Sequence, residues 1–363
     1  LYPEIQEEMV RSMVAMAKES DWLPKWELLS METNVMVGDP ATPVLADTWL
    51  RGIRGFDVET AYAAARKAAL TPEATNPLRP DIDAYRELGY IPMNKEDKWG
   101  GSVSTALEYY LSDWTLGRLA EALGKEDDAR LFHRRSLGYR NYLDPETGML
   151  RPKYADGSFY AEFDPEQGKN FEPVVGFVEG TAWQYRFYVP HDIPGLLKEL
   201  GGRQKFVDEL QACFDNDLYD VANEPDITYP FLFNYVAGEE WRSQEQVERI
   251  IKQHYTTNPG GIPGNDDTGT LSAWLVFSMM GFYPLCPADM DYALVTPQLK
   301  EVTLQLNPDY YPGDKIRIVA PREEASDRYM ETANWNNKPL TRYFISHQKL
   351  VKGGTLSIDT RPT

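Results

Sequence analysis

From Pro3 to about Val295 the chain repeats one pattern, in which apolar residues at three- and four-residue spacing are broken by Gly/Pro loops. That pattern predicts a long series of helices, among them Glu4–Ser20, Pro43–Gly52, Asp57–Ala69, Ser102–Leu123, Glu126–Leu143, Arg203–Asp215, Asp226–Val236, Ser243–His254 and Gly269–Met280. In Ser102–Leu123 the expected buried stripe is Leu107, Tyr110, Leu111, Trp114 and Leu119, with Gly124 as the stop. After Asp289 the period changes to two, in Val302-Thr303-Leu304-Gln305-Leu306, Lys315-Ile316-Arg317-Ile318-Val319 and Thr355-Leu356-Ser357-Ile358, with turns at Pro312-Gly313 and Gly353-Gly354. Helices followed by strands exclude alternating βαβ units, and no 34- or 40-residue repeat supports a solenoid. The expected fold is mainly α, helix pairs burying their faces against one another, in two parts: residues 1–290 helical and 291–363 a small β-rich segment.

At 363 residues, 42% hydrophobic and 26% charged, the chain can bury one large core or two domains. Its net charge of −19 disfavours nucleic acid and anionic lipid as partners. No apolar run approaches the roughly 18 residues of a membrane span, and Leu1-Tyr2-Pro3-Glu4 has no signal-peptide pattern. The start falls on an acidic amphipathic helix without an initiator Met, so a fragment or a processed chain is expected. The two cysteines, Cys213 and Cys286, are too few for a disulfide framework, and the four histidines lack zinc spacing. Any metal would be held by oxygen, for which an acidic chain suits calcium.

The densest chemistry lies in Pro259-Gly260-Gly261-Ile262-Pro263-Gly264-Asn265-Asp266-Asp267-Thr268-Gly269, running into a helix. Glycines around adjacent carboxylates fit a strained loop that aims side chains at one centre, and two neighbouring like charges raise one pKa into the range of a general base. An Asp N-cap is the competing structural role. In Phe177-Val178-Glu179-Gly180-Thr181, apolar neighbours would keep Glu179 protonated as a general acid, whereas a Glu in a first helical turn can also serve only the dipole. Asp220-Val221-Ala222-Asn223-Glu224-Pro225-Asp226 gathers oxygen donors on one turn without the EF-hand order, leaving calcium binding and capping both open. Glu108 and Asp113 fall among helical core residues and must line a pocket or be ion-paired. Most of the aromatic residues belong to the core; Trp26 and Trp99, in Gly/Pro loops, are candidates for a sugar-facing rim.

Taken in order, these stretches resemble family 92 of the glycoside hydrolases, the bacterial exo-acting α-mannosidases. The resemblance is carried by Leu23-Pro24-Lys25-Trp26, Val103-Ser104-Thr105-Ala106-Leu107-Glu108-Tyr109, Glu179-Gly180-Thr181-Ala182-Trp183-Gln184-Tyr185, Asn223-Glu224-Pro225 and Pro263-Gly264-Asn265-Asp266-Asp267, then Ser272-Ala273-Trp274 and Gly281-Phe282-Tyr283-Pro284. It covers essentially the whole chain, including Asn336-Asn337-Lys338-Pro339-Leu340. It implies an (α/α)6 toroid, inversion at the anomeric carbon, and a Ca2+ ion that binds two mannose hydroxyls. Glu179 would be the general acid and Asp267 the general base, with Asp266 in reserve. Asn223, Glu224 and Asp267 would hold the metal, and Trp26, Trp99, Glu108 and Asn265 would contact substrate. Inversion needs carboxyl groups about 6.5–9.5 Å apart.

Asn265 stands where the family often has Asp, which concentrates the base role on Asp267. The family also carries an N-terminal β-sandwich and a Trp-Asp-Thr motif that complete the sugar pocket, so a separate N-terminal fragment or domain is the expected partner of this chain, and the β-rich segment 291–363 would pack on or complete that sandwich. The implied substrate is a mannose-terminated glycan, an N-glycan or mannan, linked α-1,2 before α-1,3, met outside the cell, in the periplasm or at the cell surface. Linkage choice is sought at Leu218 and Tyr219. The rival readings are another toroid glycosidase, such as an α-glucosidase or trehalase-like enzyme, and a toroid that binds carbohydrate without cleaving it.

Overall fold

The computed structural model describes residues 1–94, 100–322 and 327–362. Two compact units divide the chain, one from Tyr2 to Asp192, the other from Ile193 to the C-terminus together with Leu1.

The first unit contains α1 (Pro3–Ser20), a two-stranded hairpin of β1 (Glu27–Leu28) and β2 (Met31–Glu32), α2 (Ala41–Leu50), α3 (Val58–Leu70), α4 (Ile82–Leu88), α5 (Ser102–Ala122), α6 (Glu126–Ser136) and the short α7 (Ala182–Tyr185). Helix α5 is the centre of this unit, with α2, α3 and α6 packed around it. Its expected stripe is buried except for the partly covered Trp114, but so are Val103, Tyr109 and Leu116 on its other faces, so it is enclosed all round rather than amphipathic. Asp113 is the polar exception inside this core. Its carboxylate meets Arg79 Nη1 and Arg135 Nε, each at 2.8 Å, and accepts from Tyr85 Oη at 2.8 Å, which settles its role as structural pairing. Beyond α6 the chain tightens into a 3-10 turn at Leu137–Tyr142 instead of continuing as α-helix. Next to α7, His191 packs between Trp114 and Tyr139 and sets Nε2 2.9 Å from the Ser136 carbonyl. Burial pushes its pKa down to about 4, outweighing the Ser136 carbonyl and Asp192, so the ring is neutral.

The second unit begins with α8 (Ile193–Glu199), α9 (Arg203–Asp215), α10 (Glu240–His254) and α11 (Thr270–Met280). The expected helix Asp226–Val236 is instead a pair of 3-10 turns, Glu224–Asp226 and Tyr229–Tyr235, each with a Pro in its first turn. The strands follow: β3 (Phe282–Pro284), β4 (Asp291–Leu294), β5 (Glu301–Gln305), β6 (Lys315–Val319), β7 (Tyr329–Trp335), β8 (Lys338–Pro339), β9 (Phe344–Ser346), the helical turn α12 (His347–Leu350) and β10 (Gly354–Arg361). They form a three-stranded sheet, β3-β4-β9, and a five-stranded sheet, β5-β6-β10-β7-β8, in which β10 runs parallel to β6 and antiparallel to β7. Met280, Leu294, Ile316, Ile318, Trp335 and Ile358 belong to one core between the sheets and the end of α11. Among the bonds that tie the sheets to the preceding segments, Met330 N–H donates to Gln244 Oε1 at 2.7 Å, and Asn234 Nδ2 to the Leu294 carbonyl at 2.8 Å. Both cysteines are buried and unbridged.

Candidate active site

Glu179 sits at the end of a segment held from several sides. The Val178 N–H donates to Ser104 Oγ at 3.0 Å, while the Val178 carbonyl accepts from Tyr185 Oη at 2.7 Å. Two residues on, Thr181 and Gln184 form a reciprocal capping box at the start of α7, with bonds of 2.8 and 3.2 Å. Helix capping therefore falls to Thr181 and not to Glu179. Glu179 itself adopts φ +53°, a left-handed conformation that costs a non-glycine residue about 1 kcal/mol and persists only where its surroundings dictate it. Across from it, a Cβ on Gly168 would lie 2.6 Å from the Gly180 carbonyl oxygen, so only glycine lets the 168–175 loop come this close. The pocket that results is about 470 Å³, with Phe171, Val174, Val175 and Val178 beside Glu172 and Glu179. The sequence led us to expect Glu179 in apolar enclosure. It is exposed instead, because its apolar neighbours form the wall of an open pocket rather than a lid.

The acidic turn in the second unit divides its labour in the same way. Asp266 accepts from Ser272 N–H at 2.8 Å and Ser272 Oγ at 2.7 Å, and its carbonyl accepts from Thr270 N–H at 2.7 Å. Ser272 thereby holds the Asp266 carboxyl below the usual carboxylate range. Asp266, the reserve base, is thus tied to the first turn of α11, whose N-cap is Gly269. Asp267 is exposed, and its carboxylate makes no hydrogen bond to any described residue. With Asp267 at φ +33°, Thr268 at +60° and Gly269 at +85°, three consecutive residues take left-handed backbone, which swings the Asp267 side chain away from the cap. Asn265 is exposed on the same turn.

Helix α11 joins this turn to the Asn223-Glu224 stretch. Trp274 Nε1 donates to the Ile227 carbonyl at 3.0 Å, and its ring stacks on Tyr255 with centroids 5.7 Å apart. A Cβ on Gly264 would lie 2.7 Å from Ala222 Cβ, so the base turn and the Asn223-Glu224 turn touch directly, with no room for a larger residue at 264. Within its own turn, Asp220 N–H donates to Asp226 Oδ2 at 2.9 Å, and Asp220 accepts from Ala222 N–H at 2.9 Å and Asn223 N–H at 3.0 Å. Asn223 is buried and Glu224 exposed. Asp226 is fully buried, which drives its pKa well up despite the Asp220 N–H, with the Asp220 and Glu224 charges adding to the rise. Its Oδ1 has no hydrogen-bond partner. Among the described residues no three His, Cys, Asp or Glu side chains form a ready cage. The side chains that the two touching turns carry, the Asn223 amide and the Glu224 and Asp267 carboxylates, are hard oxygen donors. They suit Ca2+, a cation that completes its shell with water or substrate hydroxyls.

The other predicted residues vary in their placement. Trp26 is exposed at the base of the β1–β2 hairpin, where Glu32 accepts the N–H groups of Lys25, Trp26 and Asn34. Glu108 is half-buried on α5 against Gly38, where a Cβ would approach its own Cβ to 2.9 Å. Trp99 lies outside the described residues. Leu218 is buried and Tyr219 half-buried. The residues that sequence reasoning missed are Asp226, which ties the Asn223-Glu224 turn together, and Phe171, whose exposure and φ of +62° set it apart. Asp226 lay inside a stretch already singled out. Nothing local signalled Phe171.

Known proteins resemble the chain over nearly its whole length. A family GH92 α-mannosidase of Bacteroides thetaiotaomicron, solved in complex with mannoimidazole, superposes with a TM-score of 0.91 at 29% identity, over 100% of this chain and 49% of that one. A family GH92 inverting mannosidase of the same organism gives 0.89 at 29% identity, over 100% and 51%. A protein of Arthroderma benhamiae described as an uncharacterized secreted glycosidase is 28% identical over 94% of this chain and 47% of its own length. The chain thus spans about half the length of these relatives. The glycosyl hydrolase family 92 catalytic-domain model matches residues 1–362, and the chain belongs to that family.

Proposed function

We propose that this chain carries the chemistry of an inverting, calcium-dependent exo-α-mannosidase that removes terminal mannose from N-glycans or mannan outside the cell, α-1,2 linkages before α-1,3. In this reading residues 1–290 form an (α/α)6 toroid, and 291–363 a β-rich segment of their own. The observation that carries it is the pair of carboxylate residues in left-handed backbone, Glu179 and Asp267, each beside a neighbour, Thr181 or Asp266, that bonds the first turn of the next helix in its place. The identity to α-mannosidases of known structure supports the choice of sugar.

Glu179 gives its proton to the glycosidic oxygen as the bond to the anomeric carbon breaks. Asp267 takes a proton from the water that attacks the opposite face, so that the released mannose has the inverted configuration. Asn223, Glu224 and Asp267 would hold Ca2+, which when bound would supply a fixed positive charge near the sugar's hydroxyls. Asn265, Glu108, Trp26 and Trp99 are assigned to substrate contact. No helix among the described residues is long and apolar enough to cross a membrane.

The test is hydrolysis of an α-1,2-mannobiose followed by proton NMR, with and without EDTA, and with the α-glucoside as control. β-Mannose as the first product, lost with EDTA and with Glu179→Gln, is expected. Calcium-independent cleavage of the glucoside, or unchanged turnover by the Glu179 variant, would sink the proposal.

A further inference from the structure

A general acid must lie within hydrogen-bond reach, about 2.6–3.2 Å, of the oxygen it protonates. In a disaccharide that oxygen belongs to the leaving sugar, so the leaving sugar lies within one ring of Glu179. The pocket that Glu179 lines, at about 470 Å³, falls in the range of about 300–1,000 Å³ typical of small-ligand sites. One side chain of this pocket has no folding role to explain it. Phe171 is 59% exposed, and both it and Asn170 are held in left-handed backbone, at φ +62° and +54°. An exposed aromatic residue in a disfavoured conformation is held by its surroundings for some other reason.

The surroundings are identifiable. The loop is clamped at one end by the close approach of Gly168 to the Gly180 carbonyl, and at the other by the bridge between Val174 and Phe177. Both clamps attach it to the segment that bears Glu179, so acid and phenyl ring keep a fixed relation. Next to the ring, Glu172 offers an exposed carboxylate, an acceptor for sugar hydroxyls.

We propose that Phe171 and Glu172 form the subsite for the leaving sugar: a hexopyranose lays its C–H face on the Phe171 ring and donates a hydroxyl hydrogen bond to Glu172 while Glu179 addresses the glycosidic oxygen. This rests on Glu179 being the general acid. The same contacts exist in ground and transition states, so they act on binding and not on the chemical step. Phe171 is therefore a specificity residue, favouring sugar over non-sugar leaving groups.

The test compares wild type, Phe171→Ala and Phe171→Trp on α-1,2-mannobiose and on α-mannosyl fluoride, whose leaving group needs neither acid nor subsite. Phe171→Ala should raise KM for the disaccharide roughly three- to tenfold. Its kcat, its Tm and its kcat/KM on the fluoride should stay unchanged, and Phe171→Trp should restore the KM. Equal losses on both substrates, or no change on the disaccharide, overturns the subsite. If wild type cleaves neither substrate the activity reading fails, and the subsite is then decided by calorimetric titration with mannobiose. A Kd equal in wild type and Phe171→Ala overturns it.

Discussion

The Glu179 turn and the Asp267 turn lie in different compact units and share no sequence, yet they are built alike. Each places its carboxylate on a left-handed residue just before a helix, and in each a neighbour, Thr181 in one case and Asp266 in the other, accepts an N–H of the helix's first turn. They differ in what surrounds the carboxylate. Glu179 opens onto Phe171, Val174, Val175 and Val178, whereas Asp267 stands in a polar turn touching Asn223-Glu224 through Gly264 and Ala222. In the proposed mechanism the open, partly apolar pocket goes with the acid and the polar turn with the base.

The largest predicted effect breaks this comparison directly. Glu179→Gln and Asp267→Asn should each lower kcat on mannobiose by about 10²–10⁴. On α-mannosyl fluoride only the Glu179 variant should recover, because fluoride leaves without a proton while water still needs a base. Equal recovery by both would mean that the roles are not divided. Next in size is calcium. Titrating Ca2+ to a hundred times its Kd should stabilise the protein by about 2.7 kcal/mol, seen as a rise in Tm. Glu224→Gln should remove that rise, and so should Gly264→Ala, whose new methyl would press the two turns apart. A normal response from Gly264→Ala would show that their contact is incidental.

Acid sensitivity should belong to the Glu179 side. His191, with its pKa near 4 in the fold and about 6.5 unfolded, binds a proton more readily in the unfolded chain. Its contribution is therefore constant above pH 6.5, and stability falls as pH drops from 6.5 towards 4, by about 3 kcal/mol at most. Melting curves across that range should show this limb, and His191→Gln should flatten it. The smallest effect separates cap from catalyst. Asp266→Ala and Thr181→Ala should each lose about 1 kcal/mol of stability by urea denaturation, with activity far less affected than in the Asp267 variant.

Much of this was legible from periodicity. Arg203–Asp215 is a helix residue for residue, and the expected strands at 302–306 and 315–319 appear as β5 and β6. β7 escaped because its inward residues, Met330, Ala333 and Trp335, do not alternate; the register shift at Asp359/Thr360 on its partner breaks the parity. α4 escaped because seven residues between Pro80 and Gly89 read as a loop. The acidic turn and Glu179 stood out through composition and family resemblance. Which of Asp266 and Asp267 bonds the first turn of the helix did not, because it depends on the left-handed run at 267–269, and no local pattern encodes that choice.

The strand order of the larger sheet bears on how the chain assembles. β10, the last strand, lies between β6 and β7, and until Gly354–Arg361 is made each of those strands keeps a bare edge. The unit ending at Asp192 can be completed while the second is still being synthesised, but the second must wait for its final strand. Shortening the chain by its last ten residues should thus leave the Glu179 half folded and the half bearing Asp267 prone to stick to its neighbours.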